Sequence, residues 1–228
     1  MFEIPVIDER LRQIAPGFRA VSIHVDATSA GQESLDPRVL AQACNIAIAG
    51  GPDWAEAHLA SWADTYIRFG AKPNRTPCSA QALRKRVLKD GGLPSINPIV
   101  DLYNAVSLKY AIPVGGENYD AYVGRPFLTI ADGTETFETI TNGEAANDPP
   151  VPGEVIWRDD VGVTCRRWNW RQGTRTRLET ASGRMWFVLE ALETMPEDAL
   201  TEASVEMADG LERLMPGCRV VTTRVGLV

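Results

Sequence analysis

The spacing of hydrophobic residues changes at about residue 113. Before that point, apolar residues recur at helical spacing in four segments, each bounded by a capping residue, a proline or a glycine. Val21, Ile23 and Val25 alternate with polar residues, which is the period of a half-buried strand. The pattern therefore predicts strands at 2–7 and 18–25, followed by helices at 37–49, 53–69, 80–89 and 98–110.

After residue 113 the pattern becomes strand-like until one last helix. Strands are predicted at 127–131, 135–140, 154–157, 161–170 and 184–190. The proline-rich stretch 142–153 is predicted to be a loop. Leu200, Met207 and Leu211 share one stripe of a helix over 197–214, and a strand at 218–225 follows. Helices and strands grouped in blocks favour an α+β fold, with residues 1–228 in a single domain.

Charge and composition narrow the classes of function. The 228 residues include 23 basic and 30 acidic ones, for a net charge of −7. Coating of nucleic acid by bulk charge is therefore excluded and no DNA partner is expected, while a local basic site for RNA remains open. Four scattered cysteines and two histidines have no metal-ligand spacing, so no metal or other cofactor is predicted.

The location of the protein follows from similar observations. No uncharged apolar run approaches the length of a membrane span, and the first ten residues lack the apolar region of a signal peptide. We expect a cytoplasmic protein without a membrane partner. The histidines do not indicate catalysis: His24 is expected on the wetter face of its strand, and His58 is expected to be packed or solvated on its helix.

Arginine and tryptophan are concentrated in residues 158–184, which contain seven arginines and three acidic residues. In a regular strand over 166–172, alternate side chains would share a face: Arg167, Asn169 and Arg171 on one side, and Trp168, Trp170 and Gln172 on the other. Such a strand could form a pocket wall or an RNA-facing strip that binds carboxylate or phosphate. The alternative is a structural strand whose arginines cover its own tryptophans.

A second polar group lies at the predicted helix start. Asn97, Asp101 and Asn104 fall at i, i+4 and i+7 and therefore share one helix face. Asn97 is at least equally well explained as the N-cap of that helix.

These two blocks resemble a known family. Residues 93–104, with Ile96-Asn97 before a helix that carries Val100-Asp101 and Asn104, resemble the signature of the B3/B4 domain of the phenylalanyl-tRNA synthetase β chain. Pro113 occupies the place of the proline in that family's Gln-Pro-Leu-His stretch. The block from Arg166 to Arg171 is similar to that of free-standing B3/B4 proteins. The resemblance is clearest over residues 90–192.

The resemblance implies a three-layer β/β/α sandwich around a pocket, here with additional helices in the N-terminal half. In the synthetase this domain hydrolyses tyrosine wrongly esterified to phenylalanine tRNA. The present chain lacks the synthetase's catalytic core, so it is not expected to charge tRNA by itself. The family's editing histidine aligns with or next to Gly115, and its glutamate aligns near Gln172. Glu190 matches the glutamate of the family's closing strand.

Three hypotheses follow. The first is a deacylase that acts in trans on a mischarged or non-protein aminoacyl-tRNA. The second is a non-catalytic module that binds a free amino acid, an aminoacyl-tRNA or RNA, and the third is a structural partner of translation proteins. We expect the main pocket between the helix start at 97–104 and the strand at 166–172. The candidate catalytic residues are Asn169, Gln172 and Glu190, and the candidate substrate-binding residues are Asn97, Asp101, Asn104, Gly115, Arg167, Trp168, Trp170 and Arg171.

Overall fold

The computed structural model of this protein describes residues 2–179 and 182–227. These residues form five α-helices: α1 (Pro37–Ile48), α2 (Ala55–Arg68), α3 (Ser79–Asp90), α4 (Pro98–Tyr110) and α5 (Glu197–Leu214). They also form eleven strands: β1 (Val6–Ile7), β2 (Arg19–Asp26), β3 (Val114–Asn118), β4 (Phe127–Ile130), β5 (Glu138–Thr141), β6 (Glu144–Asn147), β7 (Val155–Arg158), β8 (Val163–Arg166), β9 (Arg171–Gln172), β10 (Arg184–Ala191) and β11 (Arg219–Gly226).

The strands form two main sheets. One has the order β11-β2-β10-β3 and is antiparallel throughout. The other has the order β1-β4-β7-β8-β9, in which only β1 and β4 pair in parallel. Strands β5 and β6 form a separate hairpin.

Strand β10 shows how the layers stack. Met185, Phe187 and Leu189 pack into a core with α4 and α5, whereas Trp186 and Val188 pack into a second core with the five-stranded sheet. The layers are therefore helices, four-stranded sheet and five-stranded sheet. This arrangement confirms the α+β sandwich expected from the sequence.

The remaining helices lie around this sandwich. Helices α1 and α3 pack with α4 through a third apolar cluster. Helix α2 buries Leu59, Trp62 and Tyr66 in the core between the sheets, where the rings of Trp62 and Trp168 meet edge to face with centroids 5.3 Å apart. No helix among residues 2–179 and 182–227 is long and apolar enough to cross a membrane.

The two histidines are both buried, which corrects one expectation. His24 is 3% exposed because its side of β2 faces the second sheet, where its ring stacks on Phe2, so a position on a wetter face is wrong. His58 is packed, as expected: Nδ1 donates to the Ala111 carbonyl and Nε2 accepts from the Leu192 amide. Burial lowers the pKa of each histidine to about 4, so both are neutral at physiological pH.

The predicted strand over 161–170 is wrong. Strand β8 ends at Arg166, residues 167–170 form a turn, and β9 follows. Arg167 and Trp168 both have positive φ, 46° and 65°. This costly conformation is stabilised by hydrogen bonds to residues distant in the sequence: the Arg167 amide donates to the Glu154 carboxylate, and the Trp168 amide donates to the Val155 carbonyl.

Two strands are absent from the sequence-based prediction. Strand β3 carries Gly115-Gly116, which interrupts the apolar alternation by which strands are recognised. Strand β6 lies inside the predicted loop at 142–153 and is mostly exposed. The predicted helix over 197–214 coincides with α5, and that over 98–110 coincides with α4.

Candidate functional site

A cavity of about 340 Å³ opens between the two sheets, beside α3 and α4. We call it the aromatic pocket, because its walls carry the rings of Tyr103, Trp157, Trp168, Trp170 and Trp186. Polar groups from β3, β10 and the segment 169–172 reach the same space. An apolar cavity of this size with a few convergent polar groups is typical of a small-molecule site.

Glu190 is fully buried in the wall of the aromatic pocket. Its Oε1 accepts the indole N–H of Trp157 and of Trp168, each at 2.9 Å, and its Oε2 accepts Nδ2 of Asn169 at 2.8 Å. Burial raises the pKa of Glu190 to about 7 against these three donors, which favour the carboxylate. The carboxyl group therefore orients two indoles of the pocket.

Asn169 is fixed equally firmly. Besides donating to Glu190, it accepts the Tyr66 hydroxyl at 2.8 Å and the Ser79 amide at 3.3 Å through Oδ1. The side chain thereby joins α2, the start of α3 and β10. Its amide oxygen and nitrogen are both committed to protein partners.

Glu117 is the second buried carboxyl group of the aromatic pocket, and it is 5% exposed. It lies on β3, where its backbone is in register with that of Trp186. The Tyr122 hydroxyl donates to Oε2 of Glu117, which lowers the pKa of the carboxyl group, but burial outweighs this and raises it to about 7. A buried carboxyl group with a pKa near neutrality, lining a cavity, is typical of functional sites.

Gly115 and Gln172 also line the aromatic pocket. Gln172 donates from Nε2 to the Gly116 carbonyl at 2.9 Å, and no described residue binds its Oε1. A Cβ on Gly115 would come 3.3 Å from Cγ1 of Val188, so the wall is closely packed behind this position. Asn104 reaches the pocket from the first half of α4.

Seven of the eleven sequence-predicted site residues thus share one cavity: Asn104, Gly115, Trp168, Asn169, Trp170, Gln172 and Glu190. The cavity lies beside α4 and the segment 168–172, in the region where the main pocket was expected. Their catalytic and binding roles remain predictions.

Four predicted residues do not line the aromatic pocket. Asn97 is the N-cap of α4 and accepts the Val100 amide at 2.9 Å. Asp101 braces the same helix start by accepting the Ser95 hydroxyl and the Ile96 amide. Two further side chains, Arg167 and Arg171, lie elsewhere.

Arg167 points into a different cavity, and Arg171 donates to the Ile140 carbonyl at 3.3 Å from an exposed position. The expectation that Arg167, Asn169 and Arg171 share one strand face is wrong, because the turn at 167–170 breaks the alternation. Asn169 instead lies in the pocket with Trp168 and Trp170.

The sequence analysis missed Glu117, Ser79 and Arg86, which all line the aromatic pocket. Glu117 directly follows Gly115-Gly116, and a charged residue after two glycines gives no sign of burial. Ser79 and Arg86 belong to α3, and their sequence neighbours give no sign that this helix borders a cavity. No cluster of potential metal ligands exists among residues 2–179 and 182–227.

Comparison with known proteins identifies the family of this chain. The family model of the B3/4 domain matches residues 61–201, which is more than half of the chain. The chain belongs to the B3/4 domain family. The match begins earlier than residue 90, where the sequence resemblance becomes clear, and includes α3 and most of α2. Helix α3 lines the aromatic pocket, and Tyr66 of α2 bonds Asn169 in its wall.

Among solved structures, the chain is similar to an N-terminal fragment of the phenylalanyl-tRNA synthetase β-subunit from Pyrococcus horikoshii, with 12% sequence identity and a TM-score of 0.46. The similarity covers 99% of this B3/4 chain and 56% of that fragment, so this chain spans about half of its length. No curated protein matches the chain.

Proposed function

We propose that this B3/4 protein hydrolyses the ester of an aminoacyl-tRNA, with the amino acid bound in the aromatic pocket. The observation that carries the proposal is a buried carboxyl group, Glu117, facing an aromatic cavity of about 340 Å³. The cavity suits a single amino acid in size, and its indoles suit an apolar or aromatic side chain. The choice of an aminoacyl-tRNA ester rests on the resemblance of residues 93–104 and 166–171 to the B3/B4 domain of the synthetase β chain.

The proposed reaction needs one base. A water molecule attacks the acyl carbon of the ester, and the Glu117 carboxylate accepts the proton that this water loses. The bond between the acyl carbon and the ribose oxygen then breaks, and the same proton passes to the leaving oxygen. A pKa of about 7 leaves a large fraction of Glu117 as carboxylate at neutral pH while keeping it basic enough to accept a proton.

In this proposal, Gln172 binds the substrate, and Asn169 and Glu190 position the pocket wall, without taking part in the reaction. Oε1 of Gln172 accepts a hydrogen bond from the substrate's ammonium group, since its Nε2 already donates to the backbone. Glu190 holds two indoles in place by accepting their N–H groups, and Asn169 holds Glu190 by donating to it. A direct catalytic role for these three residues stays a prediction from the sequence.

Binding without hydrolysis is the second candidate. It is favoured by the saturated hydrogen bonds of Asn169 and Glu190 and by the amide at Gln172, where the synthetase family has a carboxylate. An amide can orient a water molecule but cannot take its proton. The two candidates therefore differ in whether Glu117 acts as a base.

The test compares the wild-type protein with Glu117→Gln on a panel of aminoacyl-tRNAs, measuring ester loss above the rate without protein. For the ester that is cleaved, we expect Glu117→Gln to slow hydrolysis by about 100-fold or more, the usual contribution of a general base. Glu212→Gln, an exposed position on α5, serves as the control and should leave the rate unchanged.

Two results would contradict the proposal. Undiminished hydrolysis by a folded Glu117→Gln variant would exclude Glu117 as the base. Absence of ester loss across the panel, combined with thermal stabilisation of the protein by a free amino acid, would favour the binding module.

A further inference from the structure

A second cavity, of about 280 Å³, lies at the segment that joins α2 to α3. We call it the cationic cleft, because Lys72, Arg75 and Arg167 line it together with Thr76 and Glu154. None of its cations belongs to the aromatic pocket. It thus brings Arg167 together with Lys72 and Arg75, from which it is distant in the sequence.

The turn after β8 directs Arg167 into the cationic cleft. The positive φ angles of Arg167 and Trp168 send two successive side chains into two different cavities, Trp168 into the aromatic pocket and Arg167 into the cleft. Strained backbone of this kind is costly and concentrates at functional sites. The Glu154 carboxylate helps to hold the turn by accepting the Arg167 amide.

The cationic cleft carries an excess of positive charge. Glu154 is its one acidic residue within the described chain, and both of its oxygens accept hydrogen bonds from the buried guanidinium of Arg166. Lys72 and Arg75 are exposed and form no ion pair with any residue in 2–179 or 182–227. Arg167 forms an ion pair with Glu154 at 3.7 Å, but Glu154 is already bonded through both oxygens to Arg166. Lys72 and Arg75 therefore remain available to an anion, with Arg167 beside them.

The cationic cleft and the aromatic pocket are neighbours. The guanidinium carbon of Arg167 lies 4.4 Å from the ring centroid of Trp170, and Trp170 lines the aromatic pocket. Each cavity is thus lined by one member of this stacked pair. A ligand that fills the pocket could therefore extend across Trp170 to the cations.

We propose that the cationic cleft binds a phosphate group, and that this phosphate belongs to the RNA backbone adjoining the ester in the aromatic pocket. Guanidinium groups match phosphate through paired hydrogen bonds, and the ammonium group of Lys72 adds a mobile charge. The phosphate site follows from the cleft alone, whereas its assignment to RNA rests on the proposed function.

The test measures binding of a single-stranded RNA dodecamer without an amino acid, by fluorescence anisotropy at salt concentrations from about 50 to about 200 mM. The variant is Lys72→Ala/Arg75→Ala, and the control is Arg213→Ala/Arg219→Ala, which removes two exposed charges from α5 and β11. A second arm measures binding of pyrophosphate by calorimetry to distinguish a free anion from RNA.

We expect the variant to bind RNA about tenfold or more weakly than wild type at low salt, while the control keeps wild-type affinity. Its salt slope should fall by about 2 × 0.7 = 1.4, since two phosphate contacts are lost. Loss of pyrophosphate binding with unchanged RNA binding would keep the phosphate site but overturn its assignment to RNA. Binding of both ligands at the level of the control would overturn the site itself.

The outcome is independent of the proposed hydrolysis. The dodecamer carries no ester, so its binding is measured without any hydrolysis. If no aminoacyl-tRNA is hydrolysed but the Lys72→Ala/Arg75→Ala effect appears, the proposed function fails and the phosphate site stands. If hydrolysis occurs but the Lys72→Ala/Arg75→Ala variant binds both ligands like the control, the proposed function stands and the phosphate site fails.

Discussion

Replacing Glu190 with glutamine should change how the stability of the protein depends on pH. Glu190 is fully buried, and burial raises its pKa from an ordinary 4.5 to about 7. The folded state therefore holds the proton of Glu190 at pH values where the unfolded chain has released it. It follows that the contribution of Glu190 to stability is fully present below pH 4.5 and declines as the pH rises through 7.

The magnitude follows from the difference between the two pKa values. A folded-state pKa of about 7 against an ordinary 4.5 corresponds to about 3 kcal/mol, because a change of one in pKa is worth about 1.36 kcal/mol. In Glu190→Gln this titration is absent. The substitution also sets the new amide nitrogen, itself a donor, against either the Asn169 donor or the two indole donors, but that cost is the same at every pH.

The wild-type profile alone would not reveal this effect. His24 and His58 have pKa values lowered to about 4, so each adds stability as the pH rises from about 4 to about 6.5. Their effect opposes that of Glu190 and of Glu117, whose pKa is also about 7. The informative quantity is the difference in unfolding free energy between wild type and Glu190→Gln, in which the other groups cancel.

The assay is urea unfolding of both proteins at several pH values from 4.5 to 8, followed by tryptophan fluorescence and circular dichroism. We expect the wild type to lose about 3 kcal/mol relative to the variant between about pH 4.5 and pH 7, and nothing more above about pH 8. A difference that is constant across this range, or that grows in favour of wild type, would refute a buried Glu190 with a raised pKa.

Two further predictions concern stability and are checked by chemical denaturation at neutral pH. Arg166→Ala should lower the unfolding free energy by about 3–5 kcal/mol, because the buried Glu154 carboxylate loses its paired guanidinium and keeps only the Arg167 amide and the longer contact with the Arg167 guanidinium; a loss below about 1 kcal/mol would contradict this. Gly116→Ala should cost about 1–3 kcal/mol, since its Cβ would lie 2.8 Å from Cε1 of Phe187. Gly115→Ala, whose Cβ would lie 3.3 Å from its nearest neighbour, is the matched control and should cost less.

Local chemistry determined the elements that the sequence predicted well. Asn97 before Pro98 starts α4 because an N-cap side chain and a proline at the first helical position act within one turn. The apolar stripe of α5 is also a local pattern, and it predicted both ends of that helix. The family resemblance was equally readable, since it lies in contiguous residues and the B3/4 family model includes them.

The candidate site was only partly readable, because its geometry depends on contacts between distant residues. The turn at Arg167 and Trp168 is held by Glu154 and Val155, which belong to the neighbouring strand region and which no local pattern connects to it. Because of this turn, Arg167 lines the cationic cleft and not the aromatic pocket, where the sequence-based prediction had placed it. A period-two pattern assumes a regular strand and cannot represent such a turn.

Burial of charge was decided by tertiary structure alone. Glu117 follows two glycines on an edge strand, and its sequence neighbours give no sign that two sheets will enclose it. Glu190 was recognisable by resemblance, but its three donors come from residues 21 to 33 positions away. The sequence therefore specified which residues could form a site, while packing of the two sheets determined which carboxyl groups lose water and so acquire raised pKa values.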